Sequence, residues 1–125
     1  MLRRTAADTD RTERLRSLHG FHVSPRLAAV ILSFADRATE ALYHGERGGS
    51  AKRLPASIQS AALRKLDMLN AAHDLNDLRV PPGNRLEALK GDLAGLHSMR
   101  INEQWRLVFR WTSAGPADVR IVDYH

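Results

Sequence analysis

The sequence predicts an α+β fold in which two N-terminal helices pack on one face of an antiparallel β-sheet. Three observations lead there. Apolar residues between Pro55 and Ala72 recur at spacings of three and four, the mark of an amphipathic helix. The stretch from Arg85 onward breaks into four short runs separated by brief turn-forming segments, as in a meander. Within it, Trp105 to Trp111 alternates strictly between large apolar side chains and arginine or valine. Helices followed by strands favour helices gathered on one side of the sheet.

Residues 1–20 are rich in Arg, Thr, Asp and Ser and show no sustained period, so they read as a disordered or frayed extension. Val30-Ile31-Leu32-Ser33-Phe34 is a short apolar, β-branched run and reads as a strand. Asp36 is a helix cap, and Gly45 ends that helix after His44. Glu46 to Arg53, with Gly48-Gly49-Ser50, reads as a loop. The second helix starts at Pro55, which suits a first turn, and buries Ile58, Ala62, Leu66 and Leu69. Asp74 to Leu78 adds one helical turn, and Pro81-Pro82-Gly83-Asn84 stops it. The four strands are expected at Arg85–Leu89, Leu96–Ile101, Trp105–Trp111 and Asp118–Asp123.

Composition narrows the function. The 125 residues fit one compact domain, and no cysteine is present, which removes disulfides and thiolate chemistry. The longest purely apolar run, Leu27 to Leu32, is six residues, against about 20 for a spanning helix. The charged N-terminus lacks the apolar stretch of a signal peptide, and a cytoplasmic location is expected. Nineteen Lys+Arg against fourteen Asp+Glu give +5, but unevenly. Residues 1–29 carry six arginines and three acids (net +3), and residues 30–125 carry thirteen basic and eleven acidic residues (net +2). Bulk charge is therefore a weak argument for nucleic acid in the folded part, and local clustering must carry it. His19 and His22 stand three apart, but with no second ligand pair nearby no metal site is expected.

The candidate site comes from the alternation. Trp105, Leu107, Phe109 and Trp111 form the bed for the helices, which leaves Arg106, Val108 and Arg110 on the other face. If Ser98 and Arg100 take that face in the preceding strand, Arg100, Arg106 and Arg110 gather there. Clustered guanidinium groups repel one another unless an anion joins them, and phosphate suits their planar donor pairs. The competing reading is that exposed strands carry charge for solubility and edge protection. Asp123-Tyr124-His125 follows directly on the last strand. His125 is a proton carrier near neutral pH, and a carboxylate beside it favours the imidazolium; the competing reading is a frayed tail. Lys90, before Gly91-Asp92, is either a phosphate contact or a solvated lysine.

Several segments together resemble a known family. Ile31-Leu32-Ser33-Phe34-Ala35-Asp36 with His44-Gly45-Glu46-Arg47, then Leu63-Arg64-Lys65-Leu66-Asp67, are followed by Arg79-Val80-Pro81-Pro82-Gly83-Asn84-Arg85-Leu86-Glu87. Leu89-Lys90-Gly91-Asp92, Gln104-Trp105-Arg106 and Val122-Asp123-Tyr124-His125 complete the set. In this order and spacing, over residues 30–125, they resemble the HigB-type toxins of the RelE/ParE superfamily. The resemblance implies a RelE-like fold whose helix-free face binds RNA. It implies a metal-independent endoribonuclease, with no cofactor, that cuts messenger RNA in the ribosomal A site and so inhibits translation. The partners implied are the ribosome, the messenger and a HigA-type helix-turn-helix antitoxin, through which alone the toxin meets operator DNA.

Residue by residue, Lys90, Arg106, Asp123, Tyr124 and His125 match the family's active-site positions, while Arg100 and Arg110 are assigned RNA contact from the alternation alone. Strict alternation sets Asp123 and His125 opposite Tyr124, so the three converge only if the strand has ended or twisted there. The sequence departs from the family at its front, since members begin near Val30. Either residues 1–29 form a real extension or translation starts at position 30. Two other functions stay open: a non-catalytic co-repressor subunit that binds nucleic acid with an antitoxin, and a degenerate toxin kept for its interactions.

Overall fold

The computed structural model describes residues 30–46 and 49–124. The reading of residues 1–29, including His19 and His22, and the role of His125 lie outside the described residues.

The first helix, α1 (Arg37–Tyr43), begins as its cap residue dictates. The Asp36 side chain accepts from the Thr39 amide at 2.8 Å, and Gly45, at φ 75°, closes the far end. The segment before it is extended, but it is not a full strand. It makes one parallel bridge, Phe34 to Val119, and backbone hydrogen bonds to Pro116 and Val119. The expected loop from Glu46 to Arg53 contains a 3-10 turn, Gly49–Arg53, which buries Ala51. The second helix, α2 (Ala56–Ala71), has Pro55 at its cap and buries Ile58, Ala62, Leu66 and Leu69, the stripe read from the sequence. A further 3-10 turn, Leu75–Arg79, stands where one helical turn was expected.

Four strands follow, β1 (Glu87–Ala88), β2 (Leu96–Arg100), β3 (Trp105–Thr112) and β4 (Gly115–Asp123), antiparallel in the order β1-β2-β3-β4. The expected first strand, Arg85–Leu89, shrinks to two residues, because a 3-10 turn at Pro82–Asn84 and a left-handed Arg85 (φ 46°) occupy its front. The last strand is longer than expected. Gly115 and Pro116 stay in the ladder, and the turn is confined to Ser113-Ala114, where Thr112 Oγ1 accepts the Ala114 and Gly115 amides at 3.0 and 3.1 Å.

The core lies between the helices and one sheet face. Met99, Leu107, Phe109 and Val119 are fully buried against Ala41, Leu66 and Leu69. Each such leucine or phenylalanine contributes about 1.5–3 kcal/mol. Thr39 is also fully buried, and its hydroxyl accepts the Ile121 amide at 2.9 Å, tying α1 to β4. Trp105 and Trp111 pack at the margin of this core, so the apolar set of β3 faces the helices as expected. The other face carries Ser98, Arg100, Arg106, Val108, Arg110, Arg120 and Val122 by alternation and register.

Candidate active site

Arg106 follows Trp105 and precedes Leu107, so its side chain leaves β3 on the face away from the helices. Yet it is only 9% exposed, less open than the alternation suggests. Its cover comes from that same face. Nε donates to Ser98 Oγ at 2.9 Å, and Nη2 donates to the Arg85 carbonyl at 2.7 Å. Nη2 also lies 3.6 Å from Glu87 Oε1, and the Tyr124 ring centroid is 5.5 Å from the guanidinium carbon. Nη1 has no hydrogen-bond partner among the described residues. The result is a guanidinium fixed through Nε and Nη2, with Nη1 uncommitted among the described residues, an arrangement that suits a preorganised anion holder.

The hold on Arg106 begins at Asn84. This side chain is fully buried; its Nδ2 donates to the Leu78 carbonyl at 3.1 Å, and its Oδ1 accepts from Lys65 of α2. Asn84 thus fixes the loop to the helix layer, and the next residue, Arg85, turns into the left-handed region. That turn presents its carbonyl to Arg106 on the far face. One loop therefore links the helix layer to the site. Lys65 itself has its pKa lowered, first by burial and then by the charges of Arg64 and Arg100.

The residues expected in the site divide into groups. Arg100 stands directly across from Arg106 in the β2–β3 ladder, half-buried. Tyr124 lies over Arg106, just past the end of β4. Asp123 pairs with Trp105 in the ladder, so it sits on the other side, where both its oxygens accept from Gln104 Nε2 at 3.1 and 3.2 Å. Asp123 and Tyr124 therefore flank the strand end and do not converge on one point. Lys90 is exposed, beyond the end of β1, and has no hydrogen bond or ion pair with the Arg106 cluster among the described residues.

Arg110 is on the expected face, but Asp118 Oδ2 sits 3.0 Å from both its Nε and its Nη2, so its charge is already met. The partner arises from a β-bulge. Val108 pairs with Arg120 and Arg110 with Ala117, so Asp118 and Val119 together oppose Phe109, and Asp118 adopts φ 54°.

Sequence reasoning missed Glu87, Arg85, Asn84 and Arg120. The alternation of Val119 and Ile121 with Arg120 held the signal for the last. Nothing local announces that a main-chain carbonyl will bind Arg106.

This geometry coincides with a family match. The model for the RelE-like toxin of the type II toxin–antitoxin system HigB matches residues 32–125. The chain belongs to the RelE-like HigB toxin family. Toxin HigB-1 of Vibrio cholerae is 45% identical over 82 residues, which covers 66% of this chain and 84% of that one. An uncharacterized protein of Haemophilus influenzae is 38% identical over 64 residues, 51% of this chain and 63% of that one. Among solved structures, the toxin–antitoxin complex RelBE2 from Mycobacterium tuberculosis is similar at TM-score 0.45 and 20% identity, covering 79% of this chain and all of that one. The YoeB/ParE toxin from Agrobacterium tumefaciens is similar at TM-score 0.41 and 20% identity, covering 77% and 98%. As a HigB-family protein, the chain is the toxin of a type II toxin–antitoxin system. No helix among its described residues is long and apolar enough to cross a membrane.

Proposed function

We propose that this HigB-family toxin is a ribosome-dependent endoribonuclease that cuts messenger RNA in the A site and is neutralised by a HigA-type antitoxin. One observation carries the reading: Arg106, held by Ser98 and Arg85, lies against the Tyr124 ring on the helix-free face, with its Nη1 unbonded among the described residues.

The chemistry asks little of the protein. The ribose 2′ oxygen attacks the adjacent phosphorus, the 2′-O–P bond forms and the P–O5′ bond breaks. The products are a 2′,3′-cyclic phosphate and a 5′ hydroxyl. The substrate supplies the nucleophile, so the reading includes no metal and no cofactor. Arg106 stabilises the charge on the phosphorane, and Lys90 assists as RNA draws it in. His125 gives the proton to the leaving 5′ oxygen. Glu87, the carboxylate beside Arg106, accepts the 2′ proton, while Asp123, on the other side of the strand end, is left to position that end through Gln104. Tyr124 stacks on a base or bonds to a nucleotide. Arg100 contacts the RNA backbone; Arg110 contributes less, because Asp118 meets its charge.

The test is mapping of 5′ ends on translated and untranslated reporter messages during induction. New 5′-hydroxyl ends on translated message alone are expected. Arg106→Ala should lower the cleavage rate on the order of 100-fold or more, the usual cost of removing a charge-stabilising group. Uncut message with operator binding intact would instead favour the co-repressor reading.

A further inference from the structure

The helix-free face holds a fourth arginine, Arg120, with no role in the proposed mechanism, in a position that complements Arg106. Arg120 lies in β4 directly across from Val108, and Val122 lies directly across from Arg106. Arg120 and Arg106 are therefore diagonal neighbours on one face, with backbones roughly 7 Å apart, while Arg100 faces Arg106 from β2 at roughly 5 Å. The three arginines stand on three consecutive strands, so the row runs across the sheet.

Their surroundings differ in a telling way. Arg106 is held by Ser98, Arg85 and Glu87, and Arg110 is neutralised by Asp118. Arg120 and Arg100 have no ion-pair partner among the described residues. Both are half-buried. Val108, on the same face, is only 2% exposed though it lies outside the helix-facing core. Arg106 and Arg120 are its neighbours along and across the strands, so their aliphatic stems are placed to cover it. An arginine lying on its stem, with an unmatched head beside a pinned guanidinium, adds repulsion that a second phosphate relieves.

We propose that Arg120 binds the phosphate next to the scissile one. With Arg100 on the other flank, it directs a single RNA strand across β2, β3 and β4 instead of along them. The proposal rests on the reading of the toxin as a messenger-RNA endonuclease, and it adds the direction of the substrate and one residue that grips it.

The test is single-turnover cleavage of a defined message on programmed ribosomes, with toxin concentration and salt varied. Arg120→Met removes the charge but keeps a stem over Val108, and Arg120→Lys keeps both. Arg120→Met should raise the half-saturating toxin concentration about tenfold, the usual value of a charged hydrogen bond. Its rate at saturation should stay within about twofold of wild type. Because one fewer phosphate is neutralised, the slope of log affinity against log salt should fall by about 0.7. Arg120→Lys should restore the slope and most of the affinity. Wild-type half-saturation and slope in a folded Arg120→Met protein would overturn the proposal. So would a loss confined to the saturating rate, which places Arg120 in the chemistry. A wild-type toxin that leaves the message uncut would instead refute the endonuclease reading.

Discussion

At the scale of single residues, the site depends on groups that are not themselves chemical. Asn84 holds the loop whose next carbonyl holds Arg106, and its amide reaches Leu78 and Lys65 from a fully buried position. Asn84→Ala leaves the Leu78 carbonyl without that donor and should cost about 1–3 kcal/mol. A urea melt measures this. The cleavage rate should fall further than the lost stability explains, since Arg85 is no longer fixed; a rate unchanged at saturation would separate the loop from the site. Arg106→Lys is a sharper probe. A lysine carries the charge but not the fork that meets Ser98 Oγ and the Arg85 carbonyl together, so it should recover little of the activity lost in Arg106→Ala. Here the sequence is only partly legible. Alternation placed Arg106, Arg100 and Arg110 on one face, but it is blind to cross-strand partners. It therefore gave no warning that Asp118 meets Arg110 or that Arg106 is largely covered.

At the scale of elements, legibility followed periodicity. The helix from Pro55 and the strand from Trp105 were readable because each repeats its apolar pattern over several turns or alternations. The ends of strands were not. Gly115 and Pro116 look like turn residues, yet they stay in β4, where the Pro116 carbonyl accepts the Leu32 amide and proline's missing donor is no loss. The segment from Val30 to Phe34 has strand composition but forms one bridge, because it runs beside β4 with few shared hydrogen bonds. The β2–β3 pair also contains a group that senses pH. His97 stacks on Phe109 at 6.2 Å, and its buried Nδ1 has no hydrogen-bond partner among the described residues. Burial, and then the charge of Arg79, lower its pKa below 6.5. The folded protein thus takes up this proton less readily than the unfolded chain. Its contribution is fully present above pH 6.5 and is lost as pH falls from there through the depressed folded value. Urea midpoints should decline from pH 7 to pH 5 in the wild type, and less in His97→Phe. Equal declines in both would assign the pH dependence to other groups.

At the scale of the whole molecule, charge and fold are divided along the chain. Every side chain of the described core lies between Ile31 and Ile121, and the family match begins at residue 32. Residues 1–29 contribute net +3, more than the +2 of the remaining 96 residues. If the first segment is translated, its six arginines add long-range attraction to ribosomal RNA, which acts on association and is screened by salt. They should not alter the step at the scissile phosphate, which the proposed mechanism assigns to contacts on the helix-free face. A chain that starts at Val30 should therefore cleave at saturation within about twofold of the full chain, since steering changes encounter more than chemistry. At low salt the full chain should associate faster, and the two should converge as salt rises past the point where the Debye length is about 8 Å. Association rates measured across a salt series, with intact-mass analysis of the natively expressed toxin, decide the matter. A shorter chain that has lost its saturating rate would give the first 29 residues a part in the active site. A native mass that starts at position 30 would leave them no part at all.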